Sequence, residues 1–130
     1  MSVICIQVQP DLAPGIDLGV VREIAAQLGS TTLFTRHGEE QGLDNGPYIN
    51  LYFDTPSLPE AWSIIWTQFY ENARIGTFLR ASSIVTCEGK NGWDDYFLLH
   101  HFDPTEPCTT SEKLGKKPKG RRRSKRSEPA

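Results

Sequence analysis

From about Thr109 onward the apolar periodicity of this chain stops, and residues 113–130 contain only Leu114 and Ala130 as ordinary apolar side chains. A segment with so little to bury cannot offset the entropy of ordering itself. The sequence therefore predicts one acidic α+β domain at residues 1–108 and a disordered basic tail at residues 109–130. With 38% apolar residues in 130 positions there is material for one modest core and not for two.

Charge divides at nearly the same place. Residues 1–112 carry five bases (Arg22, Arg36, Arg74, Arg80, Lys90) against fifteen acids, a balance of −10, and residues 113–130 carry nine bases against Glu128, a balance of +8. The formal net charge of −2 averages these two unlike parts. A unit at −10 repels the phosphates of nucleic acids and membranes and is attracted to basic protein surfaces.

No apolar run approaches the ~20 residues that span a bilayer, and the opening MSVICIQVQP lacks the basic start, apolar stretch and cleavage site of a secretory signal. Cys5, Cys87 and Cys108 are odd in number, far apart and without C-x-x-C spacing. These features predict a cytoplasmic protein with no membrane partner and no disulfide scaffold, in which Cys5 and Cys87 serve as small buried hydrophobes.

Residues 3–8 are β-branched and apolar, as suits a strand buried at the centre of a sheet. Asp17 can cap a helix whose stripe is Val20, Val21, Ile24, Ala25 and Leu28, with Gly29 as its stop. Residues 31–35 and 48–53 read as the second and third strands, joined by a loop at residues 36–47. Ser57 and Glu60 form an S-x-x-E capping box with Pro59 in the first turn. Leu58, Ala61, Trp62, Ile65, Trp66, Phe69 and Tyr70 then recur at helical spacing, a core face rather than a cofactor box. Residues 81–88 and 96–102 make two last strands, with the reversal at residues 89–92. The order β-α-β-β-α-β-β predicts a ferredoxin-like βαββαβ unit with an extra C-terminal strand, an antiparallel sheet carrying two helices on one face.

Chemistry is harder to locate. There is no G-x-S-x-G elbow, no histidine near any cysteine in sequence and no phosphate-cradling loop; the glycines of residues 38–46 are interleaved with acids. His101 and Asp103 project together along a strand and would need a third ligand such as Glu88 or His37 to hold a metal, whereas the adjacent His100 and His101 point apart. Hydrogen-bonded structural histidines are the favoured reading, so no metal, cofactor or enzymatic activity is assigned.

The acids are more informative. Glu39, Glu40 and Asp44 fall in the loop between the second and third strands, and Asp94 and Asp95 sit with Trp93 and Tyr96 beside the last hairpin turn. Such acids read either as a solvated face or as a rim around aromatic anchors, the composition that interfaces favour. The tail offers opposite electrostatics. Lys116, Lys117, Lys119, Arg121, Arg122, Arg123, Lys125 and Arg126 form an alternative site, through which alone the protein would bind nucleic acid.

The stretch SSIVTCEGKNGWDDYFLLHHFDP, with YINLYFDT, resembles small cytosolic bacterial immunity proteins of polymorphic toxin systems. The resemblance extends over residues 1–107 at most, and it transfers no individual residue's role. It implies an inhibitor that blocks a cognate toxin protein, such as a nuclease whose basic cleft meets an acidic surface; the basic tail departs from that picture.

Overall fold

The computed structural model describes residues 2–109, arranged as β1 (Ser2–Val8), a short 3-10 turn, α1 (Leu18–Gly29), β2 (Arg36–Leu43), β3 (Pro47–Thr55), α2 (Leu58–Ile65), a π-helical turn (Trp66–Tyr70), α3 (Gly76–Ser82), β4 (Ser83–Gly89) and β5 (Gly92–His100). The protein is α+β, with a five-stranded antiparallel open sheet in the order β2-β3-β1-β4-β5 and three α-helices among the described residues.

Alternation along the strands decides which face is dry. Ile4, Ile6 and Val8 of β1, Ile49, Leu51 and Phe53 of β3, and Val85 and Cys87 of β4 are buried and form one cluster with Val21, Ala25 and Leu28 of α1, Trp62 and Ile65 of α2, and Phe69, Tyr70 and Leu79. The intervening residues, Val3, Cys5 and Gln7, then Asn50, Tyr52 and Asp54, then Ile84 and Thr86, occupy the other face, which no helix among the described residues covers. Cys5 and Cys87 thus lie on opposite faces of adjacent strands as free thiols, both pushed up to about 12, chiefly by burial.

Helix α1 starts as the sequence predicts, with Asp17 Oδ1 accepting from the Val20 amide at 3.1 Å. Gly29 is the last residue of the helix rather than a stop beyond it. A Cβ there would stand 2.3 Å from the His37 ring, so the glycine serves a close approach. Ser57 is the N-cap of α2, but the expected capping box does not form: its side chain makes no cap bond, and the buried Thr55 hydroxyl takes the Ser57 amide instead at 3.1 Å.

Five further expectations are corrected. Residues 31–35, expected as a strand, form turns and irregular chain, and residues 36–43, expected as a loop, form β2. The sequence of β2, RHGEEQGL, has no apolar alternation because the strand is an edge exposed on both faces, paired from Arg36↔Asp54 to Leu43↔Pro47. Such a polar edge resists pairing with other chains. The apolar face that reads as one long helix gives α2 and then the π turn, and residues 81–82, expected in a strand, instead end α3, which the sequence reading missed. The last strand begins at Gly92, four residues earlier than expected, and ends at His100.

Candidate functional site

Strand β5 is not a regular partner of β4. Cys87 pairs with Phe97 and Gly89 with Gly92, so residues 93–96 stand opposite Glu88 alone. A bulge of this size throws side chains off the regular pleat. It is held at its base, where the Asp95 carbonyl lies against Gly89 so closely that an added Cβ would sit 2.1 Å from it. The Asp95 carboxylate also folds back on the turn, with Oδ1 accepting from the Asn91 amide at 2.8 Å. Glu88, left without a regular partner, turns its carboxylate to the Val3 amide at 2.7 Å.

The bulge lays Trp93 over the open sheet face. Trp93 and Tyr52 together line two adjacent hollows. The first, about 340 Å3, is bounded by Cys5 and Gln7 of β1, Asn50 of β3, and Ile84 and Thr86 of β4. The second, about 320 Å3, is bounded by Val3, Asp54, and the segment Arg36, His37 and Gly38 of β2. Trp93 remains 45% exposed and Tyr96 57% exposed, two of the exposed large hydrophobic side chains of the described residues, with Leu12, Leu43 and Phe78.

A hydrogen-bonded chain crosses this face. Asn50 Nδ2 donates to the Tyr52 hydroxyl at 3.3 Å, and the hydroxyl donates to Glu40 Oε1 at 2.8 Å. Partial burial, and after it the bond to Glu40, raises the Tyr52 phenol above its ordinary range. Asn50 Oδ1 is buried with no hydrogen-bond partner among the described residues.

The acids singled out from sequence are distributed differently from one loop cluster. Neighbours on a strand point to opposite faces. Glu40 joins the open face, while Glu39 turns to α1, where Arg22 clasps it at 3.1 to 3.3 Å and Gln41 donates at 2.9 Å. Those contacts, the Arg22 bonds first, hold the Glu39 carboxyl below the usual range. Asp44 lies at the β2–β3 turn. Trp93, Asp94, Asp95 and Tyr96 all belong to the β5 bulge. The structure thus brings Glu40, Tyr52 and Trp93 onto one face and sets Glu39 apart. Tyr52, Asn50 and Cys5 were missed as site residues; the alternation of YINLYFD around buried Ile49, Leu51 and Phe53 was the available signal.

The histidines are engaged structurally. His101 Nδ1 accepts the Asp103 amide at 2.9 Å, and the Asp103 carboxylate accepts from the Thr105 amide and hydroxyl, which lower its pKa. His37 lies against Gly29, and Glu88 is bound to Val3. His100 contacts the Tyr70 ring at 5.0 Å and the Arg80 carbonyl at 3.1 Å, and burial lowers its pKa. Among the described residues no three His, Cys, Asp or Glu side chains gather as a metal site. The alternative site, Lys116 to Arg126, lies outside the described residues. No described helix is long and apolar enough to cross a membrane.

No family model, no curated protein and no solved structure matches this chain.

Proposed function

We propose that this chain is a binding protein that neutralises a cognate toxin, docking through the open sheet face around Trp93 and acting by occlusion rather than catalysis. The observation that carries the reading is the position of Trp93: a half-exposed indole that lines two hollows of the open sheet face together with Tyr52, whose hydroxyl donates to Glu40. An aromatic anchor ringed by acids is suited to a basic protein surface, because the anchor loses water on contact while the rim charges steer encounter. Residues 2–109 hold fourteen acids against five bases, and three of those bases, Arg22, Arg36 and Arg74, are already paired with Glu39, Asp54 and Asp17. A toxin with a basic cleft, such as a nuclease, fits that balance, in keeping with the resemblance to immunity proteins.

The finer architecture belongs to the same proposal. We read β1, α1, β2, β3, α2 and β4 as a split βαβ, ferredoxin-like unit to which β5 adds an edge, a reading supported by the run β2-β3-β1-β4 and the two helical crossovers. In such a unit the helices protect one face and leave the other for binding. Free thiols at Cys5, Cys87 and Cys108 support a cytoplasmic setting.

The test is association kinetics with the partner protein. Trp93→Ala is expected to raise the dissociation rate, at a cost of about 2 kcal/mol. Asp94→Lys with Glu40→Lys is expected to slow association and flatten its salt dependence. Unchanged rates in both variants would remove this face as the interface.

A further inference from the structure

We propose that residues 110–114 dock along the outer edge of β5 as a sixth strand, so that the segment leading into the basic run is held on its own domain.

Four observations carry it. β5 is the last strand of the sheet, with β4 on one side and no strand on the other among the described residues. The chain turns back beyond His100 through a turn closed by the Glu106 amide on the Asp103 carbonyl at 3.1 Å, and the Thr109 amide then donates to the Leu98 carbonyl at 2.7 Å. Thr109 is the last of the described residues, so the chain reaches residue 110 already seated on β5 and running antiparallel to it. Third, the lengths agree. With Thr109 opposite Leu98, Ser111 falls opposite Tyr96, Lys113 opposite Asp94 and Gly115 opposite Gly92, where β5 begins. Pro118, which has no N–H to give to a ladder, falls beyond that end. Fourth, the charges match: Asp94 is exposed and in no ion pair among the described residues, and Lys113 is the first base after Lys90 in the sequence. Glu112 falls opposite Asp95, whose carboxylate is already turned to the Asn91 amide.

An open edge presents a row of N–H and C=O groups that another strand can pair with. β2 blunts its own edge with a polar sequence, whereas β5 carries the exposed Trp93 and Tyr96. The Thr109 bond fixes the register, so pairing the rest orders a few more residues and closes no further loop. Bonded pairs alternate along an antiparallel ladder, which makes Ser111 with Tyr96 and Lys113 with Asp94 the next two. Opposite charges directly across such a ladder attract. A second copy pairing β5 with β5 would have to displace Thr109, and it would bring two sets of Asp94 and Asp95 onto one seam. The basic run from Lys116 to Arg126 then starts at the hairpin end of β5, beside the turn at residues 89–92.

The test uses the full chain, isotope-labelled, with amide hydrogen exchange measured residue by residue at low and high protein concentration. The Ser111 and Lys113 amides are expected to exchange about tenfold or more slowly than in an unstructured peptide, while residues 116–130 exchange as such a peptide does. Lys113→Glu, which sets like charges across the ladder, is expected to lower the Ser111 protection by about twofold or more. Ser111→Pro, which removes a donor, is expected to abolish protection at Lys113 and to shift the Tyr96 and Asp94 amide resonances while those of β1 and β3 stay in place. Peptide-like exchange at Ser111 and Lys113 in the unaltered chain, or protection at Lys113 unmoved by Ser111→Pro, would overturn the proposal. Protection unmoved by Lys113→Glu would overturn the register. Protection that appears only at high concentration would assign the edge to a second copy and overturn its assignment to this segment.

Discussion

The Tyr52 hydroxyl donates to Glu40 Oε1 at 2.8 Å, tying an edge strand exposed on both faces to the aromatic centre of the open sheet face. Tyr52→Phe removes the donor and leaves the ring. The expected loss of stability is about 1 kcal/mol, an ordinary net value for one hydrogen bond, read from chemical denaturation. Because the folded-state phenol titrates above its ordinary value, the folded protein binds more protons than the unfolded chain in that range, so stability falls as pH rises through the ordinary tyrosine pKa. Denaturation midpoints measured on the alkaline limb check the sign.

Glu39 makes the opposite contribution. Arg22 and Gln41 hold its folded-state pKa below the unfolded value, so its stabilisation is present above the unfolded pKa and is lost as pH falls through the folded one. Since Arg22 is 43% exposed, Glu39→Gln is expected to cost a few tenths of a kcal/mol at neutral pH, on the scale of surface pairs. Denaturation of the variant and wild type at neutral pH and in acid checks it: the difference shrinks as pH drops.

Gly89→Ala tests the bulge. An added Cβ would meet the Asp95 backbone carbonyl, which cannot swing aside as a flexible side chain would, so β4 and β5 must shift. A loss of about 1–3 kcal/mol is expected, as for overpacking, together with a changed Trp93 emission spectrum. An unaltered spectrum would show that Gly89 does not set the position of the indole.

Thiol reactivity follows from burial. Cys5 and Cys87 are buried with thiols pushed up to about 12, whereas Cys108 is exposed. A disulfide reagent at neutral pH is expected to modify one thiol promptly and the other two only on unfolding. Prompt reaction of Cys5 would mean that the open face does not shield it.

Much of the fold was legible because its signals are local. The apolar β1, the Asp17 cap of α1 and the aromatic face of α2 each announce themselves within a few residues. Strand β2 was not legible from apolar pattern, since an edge strand exposed on both faces needs none. The signal that could have found it is Asn45-Gly46, where both residues adopt positive φ, 58° and 118°, in the turn joining β2 to β3. The site was half legible. Trp93 and the acids stood out as residue types, but their meeting with Tyr52 and Asn50 depends on the bulge opposite Glu88, a register feature that no local pattern encodes.

The most direct test of the central claim is a hydrogen-exchange footprint of this chain bound to the toxin partner proposed for it. Added protection is predicted in residues 47–55 of β3 and in residues 92–97 around Trp93, with no change in α1 or α2, which lie on the covered face. Protection confined to the helices, with the Trp93 bulge exchanging as it does in the free protein, would contradict the account.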